Sequence, residues 1–212
     1  MEFLYKVIVI GDPGVGKTSF VKRLTGEKFD IHEKNTIGVD FRMKTTQINE
    51  NTIQIQYWDI AGNPNFRSVT SQFYRGASGA FVVFDVNKRK TFENVKFWKN
   101  ELDEKTQLNG EKIPAVLLGN KCDLKNKVLV DLQEYAQKND FLAYFSISAK
   151  NQIKIQESGA SLTNVIVQNF DNAIHKIPLN LCDPKSSKFK SKSKSNSKSN
   201  SNSNSNSKSN CC

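Results

Sequence analysis

The stretch Val7-Ile8-Val9-Ile10-Gly11-Asp12-Pro13-Gly14-Val15-Gly16-Lys17-Thr18 decides how this chain reads. Its first four residues are all β-branched and apolar, the composition of a buried strand. The octet that follows places three glycines, a lysine and a hydroxyl at the spacing a phosphate-binding loop requires. Gly11, Gly14 and Gly16 let the backbone turn tightly and approach an anion with no side chain in the way. Inward-pointing amides at Gly14, Val15, Gly16, Lys17 and Thr18, with the N-terminus of the next helix, surround phosphates with partial positive charge. Lys17 adds a full charge for the β- and γ-phosphates, and the Thr18 hydroxyl can ligate Mg²⁺. Phe20-Val21-Lys22-Arg23-Leu24 reads as the helix such a loop opens. An ordinary Gly-rich turn with a surface lysine would need neither the strand before nor the helix after.

Outward from the loop, strands and helices alternate. Strands are expected over 3–10, 39–48, 52–60, 80–84, 113–118 and 143–147. Helices are expected over 17–25, 66–76, 92–106, 129–138 and about 160–176. Asn49-Glu50-Asn51 is a hairpin signal, and the strand after it alternates Ile53, Ile55 and Tyr57 with Gln54 and Gln56. This order implies an α/β three-layer sandwich, a mostly parallel six-stranded sheet with helices on both faces. Ligands bind such sheets at the carboxyl ends of the strands.

The chain has 212 residues, which suits one domain with an appendage. From Lys185 to Asn210 it is almost wholly Ser, Asn and Lys, with seven lysines and no acid. That segment therefore carries +7 of the formal +10, and the body is nearly balanced. A segment so polar cannot bury enough surface to offset its chain entropy and is expected to be disordered. Residues 1–178 are read as the folded domain and 179–212 as the tail. Charge concentrated in a tail argues against a nucleic-acid protein, whose basic patch lies on a folded face, and favours attraction to an anionic surface. The four cysteines, Cys122, Cys182, Cys211 and Cys212, have no zinc-site spacing. With no signal peptide and no run long enough to span a bilayer, the chain is expected in the cytosol with reduced thiols.

Three further motifs fall at strand ends. Asp59-Ile60-Ala61-Gly62 offers an acid for Mg²⁺ and a Gly62 amide that can approach a γ-phosphate. Asn120-Lys121-Cys122-Asp123 offers a carboxylate, Asp123, that can accept two N–H bonds from guanine N1 and N2, a pattern adenine lacks. Buried partners left unpaired would then reject the wrong base. Lys121 can lie along the ring plane, and Asn120 can tie this loop to the phosphate loop. Ser148-Ala149-Lys150 offers a backbone N–H for guanine O6. Each alone is weak, but the ordered set is specific, and it makes an adenylate-using enzyme a distant alternative.

With these motifs the chain resembles the Ras superfamily and, within it, the Rab family. Ile37-Gly38-Val39-Asp40-Phe41, Trp58-Asp59, Phe66-Arg67-Ser68-Val69-Thr70, Tyr74-Arg75-Gly76-Ala77 and the terminal Cys211-Cys212 carry the resemblance. It covers about residues 4–176 plus the C-terminus. It implies a P-loop NTPase fold and a GTP/GDP switch in which Mg²⁺ is held by Thr18, Thr36 and Asp59, with intrinsic hydrolysis expected to be slow because Asn63-Pro64 replaces the usual Gln-Glu. Nucleotide contacts are implied at residues Gly11 and Gly14 to Ser19, at Phe29, Thr36 and Gly62, at Asn120, Lys121 and Asp123, and at Ser148, Ala149 and Lys150. Lys17, Thr36, Gly62 and Asn63 would serve the chemical step, and Phe41, Trp58 and Phe73 would face effectors. Core packing is the competing reading for Phe41 and Trp58. Geranylgeranyl groups on Cys211 and Cys212 would anchor a monomer to the cytoplasmic face of membranes, with a cytosolic pool. The implied partners are effectors, an exchange factor, a GTPase-activating protein, a prenylation escort and a GDP-dissociation inhibitor. Ile60, the run Gly79-Ala80-Phe81-Val82-Val83-Phe84-Asp85 and the longer loop at 108–112 resemble the Rab subgroup of lysosome-related organelles, so an endosomal or lysosome-related location is the expectation.

Two departures bear on function. Pro13 stands where such relatives carry Ser or Gly, which removes one backbone donor from the loop. Asn63-Pro64 stands where they usually carry Gln-Glu, at the position that orients the attacking water. A binding module that holds GTP and barely hydrolyses it is therefore the rival reading.

Overall fold

In the computed structural model, which describes residues 2–48, 50–63, 67–108, 110–124 and 131–175, the strand before the glycine loop is the centre of the molecule. This strand, β1 (Glu2–Ile10), is buried on both faces over Val7–Ile10. Its period of two divides the interior. Val7 and Val9 join a core with Phe20, Val21 and Leu24 of α1 (Lys17–Leu24) and with Leu162 and Ile166 of the last helix. Ile8 and Ile10 join the opposite core with Val95, Trp98 and Leu102 of α4 (Val95–Lys105). Helices consequently cover both faces, as the strand–helix alternation predicts.

The other elements are β2 (Val39–Ile48), β3 (Asn51–Ile60), α2 (Arg67–Thr70) running into a 3₁₀ turn (Ser71–Tyr74), β4 (Gly79–Asp85) and α3 (Arg89–Glu93). After α4 come β5 (Gln107–Leu108), β6 (Glu111–Lys112), β7 (Ala115–Asn120), α5 (Leu132–Lys138), β8 (Ala143–Ser146) and α6 (Ile155–His175). Six strands form one sheet in the order β2-β3-β1-β4-β7-β8. Only β2 runs antiparallel, in a hairpin that pairs Val39 with Ile60 and Ile48 with Asn51. Every residue of β4 and of β7 is buried, which their continuous apolar runs require of interior parallel strands. The carboxyl ends of β1, β3, β4 and β7 lie along one rim, so the motifs that follow them meet there.

Local departures from the expected elements have physical causes. The helix expected at 66–76 shortens to α2 and the 3₁₀ turn, ending before Arg75. The one expected at 92–106 is two helices, broken at Asn94, whose side chain bonds Asp12 rather than capping α4. The last helix starts five residues early, at the fully buried Ile155, because the small and polar residues 156–160 that follow it carry no apolar periodicity in the sequence. Within it, Gly159 lets α1 approach: a Cβ there would meet Leu24 Cδ1 at 2.5 Å. The strand expected at 113–118 lies at Ala115–Asn120, so Asn120 ends the strand instead of following it. The loop at 108–112 folds into the β5–β6 hairpin around Gly110. The compact unit is Met1–His175, and the expected tail with Cys211 and Cys212 lies outside the described residues.

Candidate functional site

A cavity of about 410 Å³ opens at the carboxyl rim of the sheet. Lys17, Thr18 and Ser19 line it beside Phe29, Thr36, Gly62 and Asn63, and Asn120, Lys121, Asp123, Ala149 and Lys150 form the far wall. Residues scattered over the sequence thus come together in one place. The structure gives the glycines distinct tasks. Gly11 (φ 141°) runs against β4, where a Cβ would meet the Val83 carbonyl oxygen at 2.1 Å. A Cβ on Gly16 (φ 93°) would meet Asn120 Nδ2 at 2.4 Å. Gly14 (φ 73°) has nothing within 4 Å of that position and lines the open cavity.

Gly16 is the N-cap of α1 and has no side chain to bond the first amides of the helix. Those donors are available to an anion in the cavity. Lys17 Nζ donates to the carbonyls of Gly11 and Asp12, both at 2.9 Å. Of its three donors, no acceptor takes the third among the described residues. Burial lowers its pKa to about 8, against the upward pull of the Asp59 and Asp12 carboxylates.

At the other side of Lys17, three oxygens converge. Thr18 Oγ1 donates to Asp59 Oδ2 at 2.5 Å, and Thr36 Oγ1 donates to the same oxygen at 3.0 Å. The two hydroxyls are 2.7 Å apart. Asp59 is fully buried, and its Oδ1 has no hydrogen-bond partner among the described residues. Burial pushes this carboxyl up, and the Thr18 hydroxyl and Lys17 ammonium oppose that shift. Two hydroxyls and a carboxylate with an orphaned oxygen are hard donors, and they suit Mg²⁺. Thr36 reaches this point on a segment fastened by an ion pair between Lys22 of α1 and Glu33.

The far wall is organised by Asn120. Its Nδ2 donates to the Val15 carbonyl at 2.8 Å, and its Oδ1 accepts from the Lys121 and Ala149 amides at 2.8 and 3.1 Å. Lys121 Nζ donates to the Gly14 carbonyl at 2.7 Å and pairs with Asp85 Oδ2 at 2.8 Å. Burial pushes Asp85 up, but Lys121 and the Asn87 amides outweigh it and hold the carboxyl below its ordinary value. Ser148 Oγ donates to Asp123 Oδ1 at 2.6 Å, which fixes that carboxylate at the cavity edge. Ser148 itself lies two residues past β8, in a turn closed by its own bridge to Ile153.

Asp85 and the orienting part of Ser148 escape the sequence reading. An acid closing the wholly apolar run 79–84 was the available signal for Asp85, since a buried acid needs a partner. Asn63 lines the cavity and is half-buried, while Pro64 lies outside the described residues. Away from the cavity, Phe41 stacks on Trp58 with centroids 5.7 Å apart, and Trp58 meets Phe73 at 5.9 Å. Phe41 is 56% exposed, so its side of the row is surface. Trp58 and Phe73 are half-buried against the α4 side of the sheet, and Lys6 Nζ sits 4.2 Å over the indole. No helix among the described residues is long and apolar enough to cross a membrane.

The Ras family model matches residues 6–168. Ras-related protein Rab-32A of Dictyostelium discoideum is 41% identical over 79% of this chain and 80% of its own length. Ras-related protein Rab-32 of Homo sapiens is 42% identical, over 84% of each chain. Ras-related protein Rab-7L1 of Homo sapiens is 39% identical over 79% of this chain and 85% of its own.

Proposed function

This chain belongs to the Ras family, in its Rab branch, as a small GTPase of membrane trafficking, and we propose how its own residues carry that activity. The phosphates of GTP lie in the cradle of Gly14–Ser19, where α1 amides and the Lys17 ammonium meet them. Guanine lies between Asp123, which accepts from N1 and N2, and Phe29, with the Ala149 turn at O6. Thr18, Thr36 and Asp59 hold Mg²⁺, which when bound neutralises charge on the β- and γ-phosphates. The carrying observation is that Lys17, Thr18 and Thr36 line one side of a cavity, the two hydroxyls bonded to the buried Asp59, while Asn120, Lys121 and Asp123 line the other.

Hydrolysis is in-line attack of water on the γ-phosphate, with charge stabilised by Lys17 and the Gly62 amide. Asn63 orients the water less well than a longer side chain would, so intrinsic turnover is slow and the resting state is biased toward GTP. In the limit this chain is a platform that binds GTP with negligible turnover. The Phe41–Trp58–Phe73 row meets effector proteins when the segments around Thr36 and Gly62 are ordered by the γ-phosphate. An exchange factor and an activating protein act on those segments. Residues 179–212 serve as a basic tether, and geranylgeranyl groups on Cys211 and Cys212, added with an escort and masked by a GDP-dissociation inhibitor, hold a monomer to cytoplasmic membrane faces. The Rab-32 and Rab-7L1 likeness supports an endosomal or lysosome-related compartment.

The deciding experiment is base choice. Asp123→Asn should lose GTP affinity severely and gain xanthosine triphosphate, because the new amide donates to the oxygen that replaces the exocyclic amine. Unchanged GTP affinity in this variant, measured by labelled-nucleotide titration, rules out the assignment.

A further inference from the structure

Asp12 places a carboxylate inside the wall between the glycine loop and α4, where the reaction gives it no task. The residue is 8% exposed. Its Oδ1 accepts from Trp98 Nε1 at 2.8 Å, and its Oδ2 accepts from Asn94 Nδ2 at 2.7 Å. The two donors stand four residues apart, at the N-cap and in the first turn of α4, so they share one helix face. A carboxylate withdrawn from water costs free energy unless its oxygens are bonded, and here each oxygen has one donor. The helix therefore grips the loop through a single side chain.

The main chain of Asp12 touches both halves of the phosphate machinery. Its carbonyl accepts Lys17 Nζ at 2.9 Å. Gly62 rests against the same peptide: a Cβ there would meet Asp12 C at 2.6 Å and Pro13 N at 2.7 Å. Further along α4, Glu101 lies 3.5 Å from the Tyr74 hydroxyl, at the end of the segment that begins at Gly62. A shift of Asp12 would thus move the seat of the ammonium and the support of Gly62 together.

We propose that Asp12 is a positioning residue, clamped by Asn94 and Trp98, that fixes the loop geometry and thereby sets how slowly guanine nucleotide is released. The inference rests on the reading of the cavity as the GTP site. Trp98→Phe removes the N–H and leaves a smaller aromatic ring, and Asp12→Asn keeps the shape and removes the charge. Each should release labelled GDP about ten-fold faster under a chase of unlabelled GDP, the scale of one hydrogen bond to a charged group. Because both changes weaken the same bond, one by removing its donor and the other by neutralising its acceptor, the double variant should release GDP more slowly than the product of the two single effects.

A spectroscopic readout separates positioning from mere packing. In a Trp58→Phe background, the Trp98 indole N–H resonance of the GDP-loaded protein should shift on Asp12→Asn. Release at the natural rate in both single variants, release in the double equal to the product of the singles, or an unmoved resonance overturns the proposal. Lower melting temperature with unchanged release overturns it as well. If Asp12→Asn fails to fold, the Trp98→Phe release rate decides alone. A natural chain that retains no labelled GDP refutes the GTP-site reading itself, a result distinct from retention with unaffected variants.

Discussion

The side chain of Asn120 bonds the Val15 carbonyl at 2.8 Å and the Ala149 amide at 3.1 Å, so one buried residue joins three loops. The phosphate cradle, the base-selecting loop and the turn after β8 are held as a unit by groups that no ligand supplies. Asn120→Ala would leave the Val15 carbonyl and the Lys121 and Ala149 amides unpaired in a dry site. Unpaired buried groups cost on the order of 1–3 kcal/mol each, and about 1.4 kcal/mol is ten-fold in affinity. GDP affinity should fall by roughly a hundred-fold or more, with a lower melting temperature. A titration showing a loss under three-fold would refute Asn120 as the tie.

Lys17 gives the binding a pH dependence whose sign follows from burial. In the free protein its pKa is lowered to about 8, and a phosphate beside it favours the charged form and raises that value again. Below that pH the ammonium is charged in both states and affinity is flat. Above it the free protein has lost the proton and binding must take one up, so affinity falls as pH rises, by about ten-fold per unit at the limit. GDP titrations with EDTA present, from pH 7 to 9.5, should show this slope and proton uptake only above about pH 8. A flat profile would mean that Lys17 stays charged in the free protein.

Much of this was legible in the sequence for a physical reason. The strand after strand of β-branched residues and the Gly-Lys-Thr spacing are local signals, and local signals survive in one dimension. The buried strand Gly79–Asp85 was readable from its continuous apolar run, and the hairpin from the Asn-Glu-Asn turn signal and the alternation of Ile53, Ile55 and Tyr57 in β3. What was not legible depends on long-range pairing. Asn94 breaks α3 from α4 because Asp12, 82 positions away in sequence, takes its amide. Asp85 and Ser148 orient Lys121 and Asp123 through contacts that no spacing announces. Even the glycines divided differently: Gly11 and Gly16 are constrained by protein neighbours, and Gly14 by the cavity.

The terminal cysteines are open to direct test. The Cys211-Cys212 pair after a lysine-rich stretch has no metal-site spacing, and two lipid chains satisfy the two-signal requirement for stable anchoring. Intact mass of protein purified from its own cells should show two geranylgeranyl additions. Replacing both cysteines with serine should move a tagged copy from membranes to the soluble fraction. A native protein without lipid mass on either cysteine refutes the anchor. With the lipids kept, neutralising the seven tail lysines should weaken binding to anionic vesicles and leave neutral ones little changed.

The last expectation concerns the chemical step. Asn63 lines the cavity next to Gly62, whose backbone is pressed on the Asp12–Pro13 peptide. Asn carries the carboxamide of Gln on a stem shorter by one methylene, about 1.5 Å of lost reach. A misplacement near 1 Å can cost on the order of 10²-fold in rate. Pro64 also biases the residue before it away from helical dihedrals, which restricts how Asn63 can approach a water. Gly62 cannot shift inward to compensate, because its own backbone already rests against the glycine loop. Single-turnover hydrolysis of preloaded GTP should therefore be slow in the natural chain. It should rise on the order of ten-fold or more when Asn63→Gln and Pro64→Glu are combined. An activating protein that supplies its own carboxamide would mask the difference, so the comparison is made with purified protein alone. Equal rates in the two proteins would mean that water positioning at Asn63 does not limit the reaction.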